Sequence, residues 1–388
     1  MPLPPRHLAC LATILMGSIV GAPSSACAAG PVQDAEVRKA VDEAMKPVIA
    51  QYGLPGMAVA VSVDGRRHFM AYGLASKEPQ VPVTRDTLFE LGSISKTFTA
   101  TLATYAEVEG RLKLTDSVSR HMPELKGSAF DKVRLVDLAT HTAGGFPLQL
   151  PASVKDRKQL IAYYRAWKPT SASGTWRSYA NPSIGLLGLV TARAMDASFT
   201  SLAERLFGDL GLRRTYVEVP AAEMKSYAWG YGRDGKPVRV SRALLADEAY
   251  GVKSNAVDMI RFLEVNMGIG SVPEPIARSL RATRTCYFRS GELTQGLIWE
   301  QYPYPVALDT FIAGNTMNQR ASPAFAIDPP LAPRDDVIVN KTGSTLGFGA
   351  YVAFVPGRKI GIVMLANKAY PNEARVRAAH QVLSRLTE

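Results

Sequence analysis

The stretch Phe348 to Leu365, FGAYVAFVPGRKIGIVML, holds two apolar runs, Phe348 to Val355 and Ile360 to Leu365, on either side of Pro356-Gly357. Runs of that length, rich in β-branched and aromatic residues and bounded by Pro and Gly, read as two strands joined by a tight turn. The same pattern stands near the other end of the chain, where Met57 to Val63 and His68 to Tyr72 flank Asp64-Gly65. That dipeptide suits a hairpin because Gly tolerates positive φ. Helical spacing of apolar residues borders each pair, from Asp34 to Tyr52 before the first and from Asn372 to Leu386 after the second. Two hairpins from opposite ends, each with its helix, predict one antiparallel sheet built from both chain termini and flanked by helices.

Between these ends the apolar spacing is helical over Thr97 to Val108, Leu160 to Trp167, Ile184 to Met195, Leu202 to Phe207 and Val257 to Met267. Trp229 to Val240 departs from it, and Asp234-Gly235 between short β-like runs predicts a further hairpin. The fold class is therefore α/β in the α+β sense. One catalytic unit is expected over residues 29–388, with a sheet lobe of about 30–90 and 335–388, a mostly helical lobe of about 91–334, and the active site between them.

At the N-terminus, Arg6 and His7 precede an apolar run from Leu8 to Val20 and small residues ending in Ala26-Cys27-Ala28. This is the layout of a secretory signal with an A-x-A cleavage site, so residues 1–28 read as a signal peptide and the mature chain as periplasmic. The run is too short to span a bilayer and is broken by Gly17, Gly21 and Pro23, so no stable membrane insertion is expected. Of 3 cysteines, Cys10 and Cys27 fall in that segment, which leaves Cys286 without a partner for an internal disulfide. The formal net charge is +11, but the basic residues are scattered and no block interleaves with aromatics, which excludes a nucleic-acid groove. The 5 histidines form no H-x-H or H-E-x-x-H cluster, so neither a metal nor another cofactor is expected. No G-x-S-x-G string exists, which argues against an α/β-hydrolase.

Chemistry concentrates in three motifs. Ser93-Ile94-Ser95-Lys96 opens a helical run, so Ser93 and Lys96 lie three residues apart on one face, a hydroxyl beside a base. A serine hydroxyl becomes a useful nucleophile when a neighbour takes its proton. Tyr179-Ala180-Asn181 follows in a loop; a tyrosine can shuttle a proton near a cation, and an asparagine offers a donor and an acceptor to an amide. Tyr370-Pro371-Asn372 matches the same Y-x-N string, and Tyr179 is preferred because it lies between the other motifs in order. Lys341-Thr342-Gly343-Ser344 ends a β-like run, where a cation, a hydroxyl and a close backbone approach can serve one substrate. The Ser344 N–H can pair with that of Ser93 as an oxyanion hole. Each string alone is weak, since a capped helix or a strand end explains it; the ordered set of S-x-x-K, Y-x-N and K-T-G is specific.

With these motifs the chain resembles the serine β-lactamase and penicillin-binding superfamily, and in particular class C β-lactamases. The likeness extends over nearly the whole mature chain, through Leu138 to Gly145 with Pro147-Leu148-Gln149, Ala249 to Ser254, Gly349 to Pro356 and Ala366-Asn367-Lys368. It implies hydrolysis of cephalosporins and penicillins through an acyl-enzyme on Ser93, with Lys96, Tyr179 and Lys341 as the other catalytic groups. It also implies that Gln149 and Asn181 contact the substrate's side-chain amide and that Tyr250 lines the side-chain pocket. Lys341, Thr342 and Gly343, with Asn372 and Arg375, then surround the substrate carboxylate. A monomer acting on a small β-lactam is the family expectation. Two departures stand out: His141 occupies a place where class C enzymes often carry Tyr, and Leu346 follows the K-T-G-S-T string. A D-alanyl-D-alanine peptidase or esterase of the same fold, and a penicillin receptor that is acylated without turnover, share the motifs and remain open.

Overall fold

A computed structural model describes residues 1–3, 31–317 and 321–387. The expected signal peptide and its cleavage site lie almost wholly outside the described residues. No helix among the described residues is long and apolar enough to cross a membrane.

The two terminal hairpins form as expected, with strands Gly56–Val63 and Arg66–Lys77 at one end of the chain and Gly349–Val355 and Ile360–Ala366 at the other. Asp64 and Gly65 both have positive φ, 50° and 83°, as a two-residue type I′ turn requires. The hairpins join edge to edge in antiparallel register, from Met57 opposite Ala366 to Val63 opposite Ile360. Both faces of Gly56–Val63, Gly349–Val355 and Ile360–Ala366 are covered, which is why they read as nearly continuous apolar runs rather than as an alternation. On one face Val59, Val61, Ile362 and Met364 pack with Val37, Val41, Val382 and Leu383 of the terminal helices Pro31–Tyr52 and Asn372–Thr387. On the other, Ala58, Ala60, Val363 and Leu365 pack with Phe262 and Leu263 of helix Ala256–Asn266.

The sheet is wider than the terminal hairpins foretell. It has ten strands among the described residues, and Cys286–Ser290, Leu293–Gln295, Glu300–Pro303 and Phe325–Leu331 extend it beyond Val337–Ser344. These four come from the stretch read as helical. They are only 3 to 7 residues long and carry polar members such as Arg289, Gln295 and Glu300, so no clean period of two was visible.

The helical side contains the expected helices as Ser95–Val108, Arg157–Ala166, Asn181–Ala194, Phe199–Leu210 and Ala256–Asn266, with the small hairpin Gly230–Tyr231 and Pro237–Val238. Helix Ser95–Val108 runs through its centre although it is rich in threonine. The hydroxyls of Thr97, Thr101 and Thr104 donate to carbonyls of the preceding turn, and that of Thr99 donates to Glu248 O. Buried hydroxyls bonded in this way cost little.

Candidate active site

Where the central helix begins, the chain passes through a 3-10 turn, Gly92–Ile94, which abuts the end of strand Val337–Ser344. The approach is backbone on backbone. Gly92 has φ +53°, and a Cβ there would stand 2.4 Å from Ser344 N; a Cβ on Gly343 would stand 2.0 Å from Leu91 O. No other residue type fits at either place, and the contact sets Ser93 beside Lys341, Thr342 and Ser344.

Lys96 is fully buried, and its Nζ donates to Ser93 Oγ at 2.9 Å and to Ala249 O at 2.8 Å. Burial holds its pKa below the usual lysine range; the Lys341 cation adds to that, and only Tyr179 opposes it. The Tyr179 ring lies between the two lysines, with each Nζ 5.1 Å from its centroid. Burial would push its phenol up, but the Lys341 and Lys96 cations and the nearness of Ser93 outweigh that and bring it below its ordinary value. Its hydroxyl is buried without a partner at full hydrogen-bond geometry, although it lies within reach of Ser93 and Lys96.

Lys341 sits differently. It is 1 % exposed, and its Nζ is 3.4 Å from Glu300 Oε1, an oxygen that also lies 3.2 Å from Arg177 Nη2. Arg177 Nε in turn donates to Gln295 Oε1 at 2.7 Å. Arg177, Gln295 and Glu300 are functional neighbours that sequence reasoning missed. The one available signal was a lone carboxylate inside the apolar run Leu297 to Tyr302.

A cavity of about 650 Å³ opens onto this group. Its lining contains Ser93, Tyr179, Lys341, Thr342, Gly343 and Ser344 together with Gln149, Asn181, Tyr250 and Asn372, and Leu148 and Leu346 stand exposed at its rim. Asn181 opens its helix beside Tyr179 and has a buried Oδ1 without a partner, free to accept from a ligand. A larger cavity of about 1240 Å³ adjoins along Val238, Thr345 and Leu346, and Ser93, Tyr179, Lys96 and Lys341 are not in its lining.

Arg375 does not line the smaller cavity but lines the adjoining larger one, beside Asn372 and Ser344. It is 1 % exposed and donates to the carbonyls of Gly343, Ala350 and Tyr370. Its guanidinium therefore ties the start of the last helix to the sheet. Among the described residues no group of three or more His, Cys, Asp or Glu could hold a metal ion.

A hydroxyl beside a buried amine without a carboxylate partner, with an acidified phenol between two lysines, is equipped for acyl transfer. The sequence profile of the beta-lactamase family matches residues 37–387. A beta-lactamase of Pseudomonas fluorescens is 46% identical over 356 residues, 91% of this chain and 99% of that protein. A class C beta-lactamase solved in complex with cefoxitin superposes with a TM-score of 0.89 at 48% identity, covering 91% of this chain and 99% of its own. A protein of Pseudomonas syringae described as a beta-lactamase/D-alanine carboxypeptidase superposes with a TM-score of 0.88 at 49% identity, over 90% and 98% of the two chains. The chain belongs to the beta-lactamase family. Within that family it is of the class C serine type.

Proposed function

We propose that the protein hydrolyses the lactam amide of cephalosporins and penicillins through an acyl-enzyme on Ser93 and thereby confers resistance to them. The observation that carries this reading is the 2.9 Å contact of Ser93 Oγ with Lys96 Nζ, a lysine that burial and Lys341 push toward its neutral form. Lys96, with Tyr179, takes the Ser93 proton as Oγ adds to the lactam carbonyl, and the amides of Ser93 and Ser344 hold the oxyanion. The C–N bond then breaks, and the departing nitrogen takes a proton from Tyr179. Water, deprotonated by the same tyrosine, next adds to the ester and frees Ser93 and the ring-opened acid. Gln149 and Asn181 bind the side-chain amide and Tyr250 lines its pocket, while Lys341, Thr342 and Asn372 bind the carboxylate. Residues 29–388 act as one monomeric catalytic unit, exported to the periplasm by the signal of residues 1–28, which is then removed.

Hydrolysis of a chromogenic cephalosporin by the mature protein and by Ser93→Ala tests this, with mass spectrometry of a substrate-treated sample. Rapid turnover lost in the variant and a transient adduct on the Ser93 peptide are expected; an adduct on another peptide would overturn the assignment. A second reading, D-alanine carboxypeptidase, draws support from the Pseudomonas syringae relative. Slow lactam turnover beside fast cleavage of a D-alanyl-D-alanine peptide would favour it.

A further inference from the structure

His141 is 2 % exposed, has φ +62° and holds the loop that bears Tyr179 at three points. Its carbonyl accepts from Ser178 N at 2.8 Å, and its Nδ1 accepts from Ala180 N at 3.3 Å, so the bonds fall on the residues immediately before and after Tyr179. Between them the imidazole lies against the Tyr179 ring, with centroids 4.4 Å apart. The left-handed backbone at His141 lets its carbonyl and its side chain bond the same short segment; Asn and His are among the few side chains that adopt it readily. An Nδ1 that accepts an N–H cannot carry the proton, so in the neutral ring the proton is on Nε2. Burial disfavours a second proton, and the surrounding cations Arg177, Lys96 and Lys341 oppose it further, which holds the His141 pKa well below its usual value.

We propose that His141 is a positioning residue, a neutral Nε2–H imidazole that clamps the segment Ser178 to Ala180 and so aims the Tyr179 phenol at Ser93 and Lys96. Nothing at His141 touches the reacting atoms. Its effect is on where the phenol stands, and a displacement of about 1 Å can cost on the order of 10²-fold in rate.

This rests on the proposed role of Tyr179, so the test separates the two. His141→Asn and His141→Gly both tolerate the positive φ, but only Asn retains an acceptor where Nδ1 now lies. Per serine able to form the adduct, H141G is expected to lose about tenfold or more in kcat with KM little changed, and H141N to stay within about threefold of the unaltered protein. Equal losses in the two variants, or an unchanged H141G, would overturn the proposal. Nitrogen-15 NMR of the imidazole in the unaltered protein is independent of how either variant folds. A protonated Nε2 and a bare Nδ1 are expected at neutral pH; an Nδ1–H tautomer or an imidazolium would overturn it. An unaltered protein that forms no adduct on Ser93 would instead end the functional reading and leave the tautomer result standing.

Discussion

Two buried glutamates flank the active site, and they are compensated in opposite ways. On the sheet side Glu300 is fully buried between Lys341 and Arg177, an anion with a cation on each hand. On the helical side Glu248 is 8 % exposed, packs over Gly188, and has no cation paired with it among the described residues. Burial, joined by the charge of Asp247, pushes the Glu248 carboxyl up to about 7 against the opposing pull of its own backbone amide. The lysines follow the same division: Lys341 has a carboxylate, and Lys96 has only a hydroxyl and a carbonyl. One wall of the cleft is built to hold charge, and the other to shed it.

The largest expected effect comes from swapping the two lysines for a cation that cannot deprotonate. Lys96→Arg should lower kcat/KM by roughly 10²–10⁴-fold, the usual worth of a proton-transfer group. Lys341→Arg, which retains the charge its wall is built for, should cost far less. Steady-state kinetics on one cephalosporin reads both, and equal losses would break the distinction between the walls.

Glu300→Gln attacks the sheet side from the other direction. It leaves Lys341 and Arg177 buried without their shared anion, and removal of one partner from a buried ionic group costs about 3–5 kcal/mol. Urea unfolding of the variant near pH 7 should show that loss; a variant as stable as the unaltered protein would mean that the two cations are compensated by other groups.

On the helical side Glu248→Gln should instead stabilise, and only above acid pH. The folded carboxyl titrates near 7 and the unfolded one near 4.5, a gap of about 3 kcal/mol. Between those values the unfolded chain has released a proton that the folded chain still holds. The stability is thus fully present below 4.5 and is lost as pH rises through about 7. Unfolding measured near pH 4.5 and near pH 8 should give the unaltered protein a decline of this size that Glu248→Gln lacks. Parallel pH profiles for the two would show that Glu248 is ionised in the folded state.

What the sequence disclosed of this arrangement followed from range. The terminal hairpins and the pair Ser93 and Lys96 are local patterns, a period, a turn dipeptide, a spacing of three residues, and each stands in the structure as read. Glu300 was invisible for the opposite reason. Its strand is four residues long, and its charge makes sense only once that strand pairs with Asn340 and its neighbours, forty residues on, and receives Arg177 from the helical side. His141 was noticed as a departure within a motif, but its φ and its two bonds around Tyr179 are properties of the folded chain. The bonds of Arg375 to Gly343, Ala350 and Tyr370 were hidden as well, because a position on a helix does not say which way a long side chain turns.

Those bonds yield the smallest expected effect. Asn372 and Arg375 open the same helix; Asn372 lines the smaller cavity with Ser93, whereas Arg375 lines only the larger one and bonds the carbonyls of Gly343, Ala350 and Tyr370. A hydrogen bond to a charged group is worth about 1.5–3 kcal/mol. Asn372→Ala should therefore raise KM for a cephalosporin by roughly tenfold or more and leave the unfolding midpoint where it is. Arg375→Met should lower the midpoint, because three buried carbonyls lose their donor, and change KM little per folded molecule. If Arg375→Met raised KM as much as Asn372→Ala while unfolding at the same midpoint, the guanidinium would have to swing toward the substrate, and the division of labour along the last helix would fail.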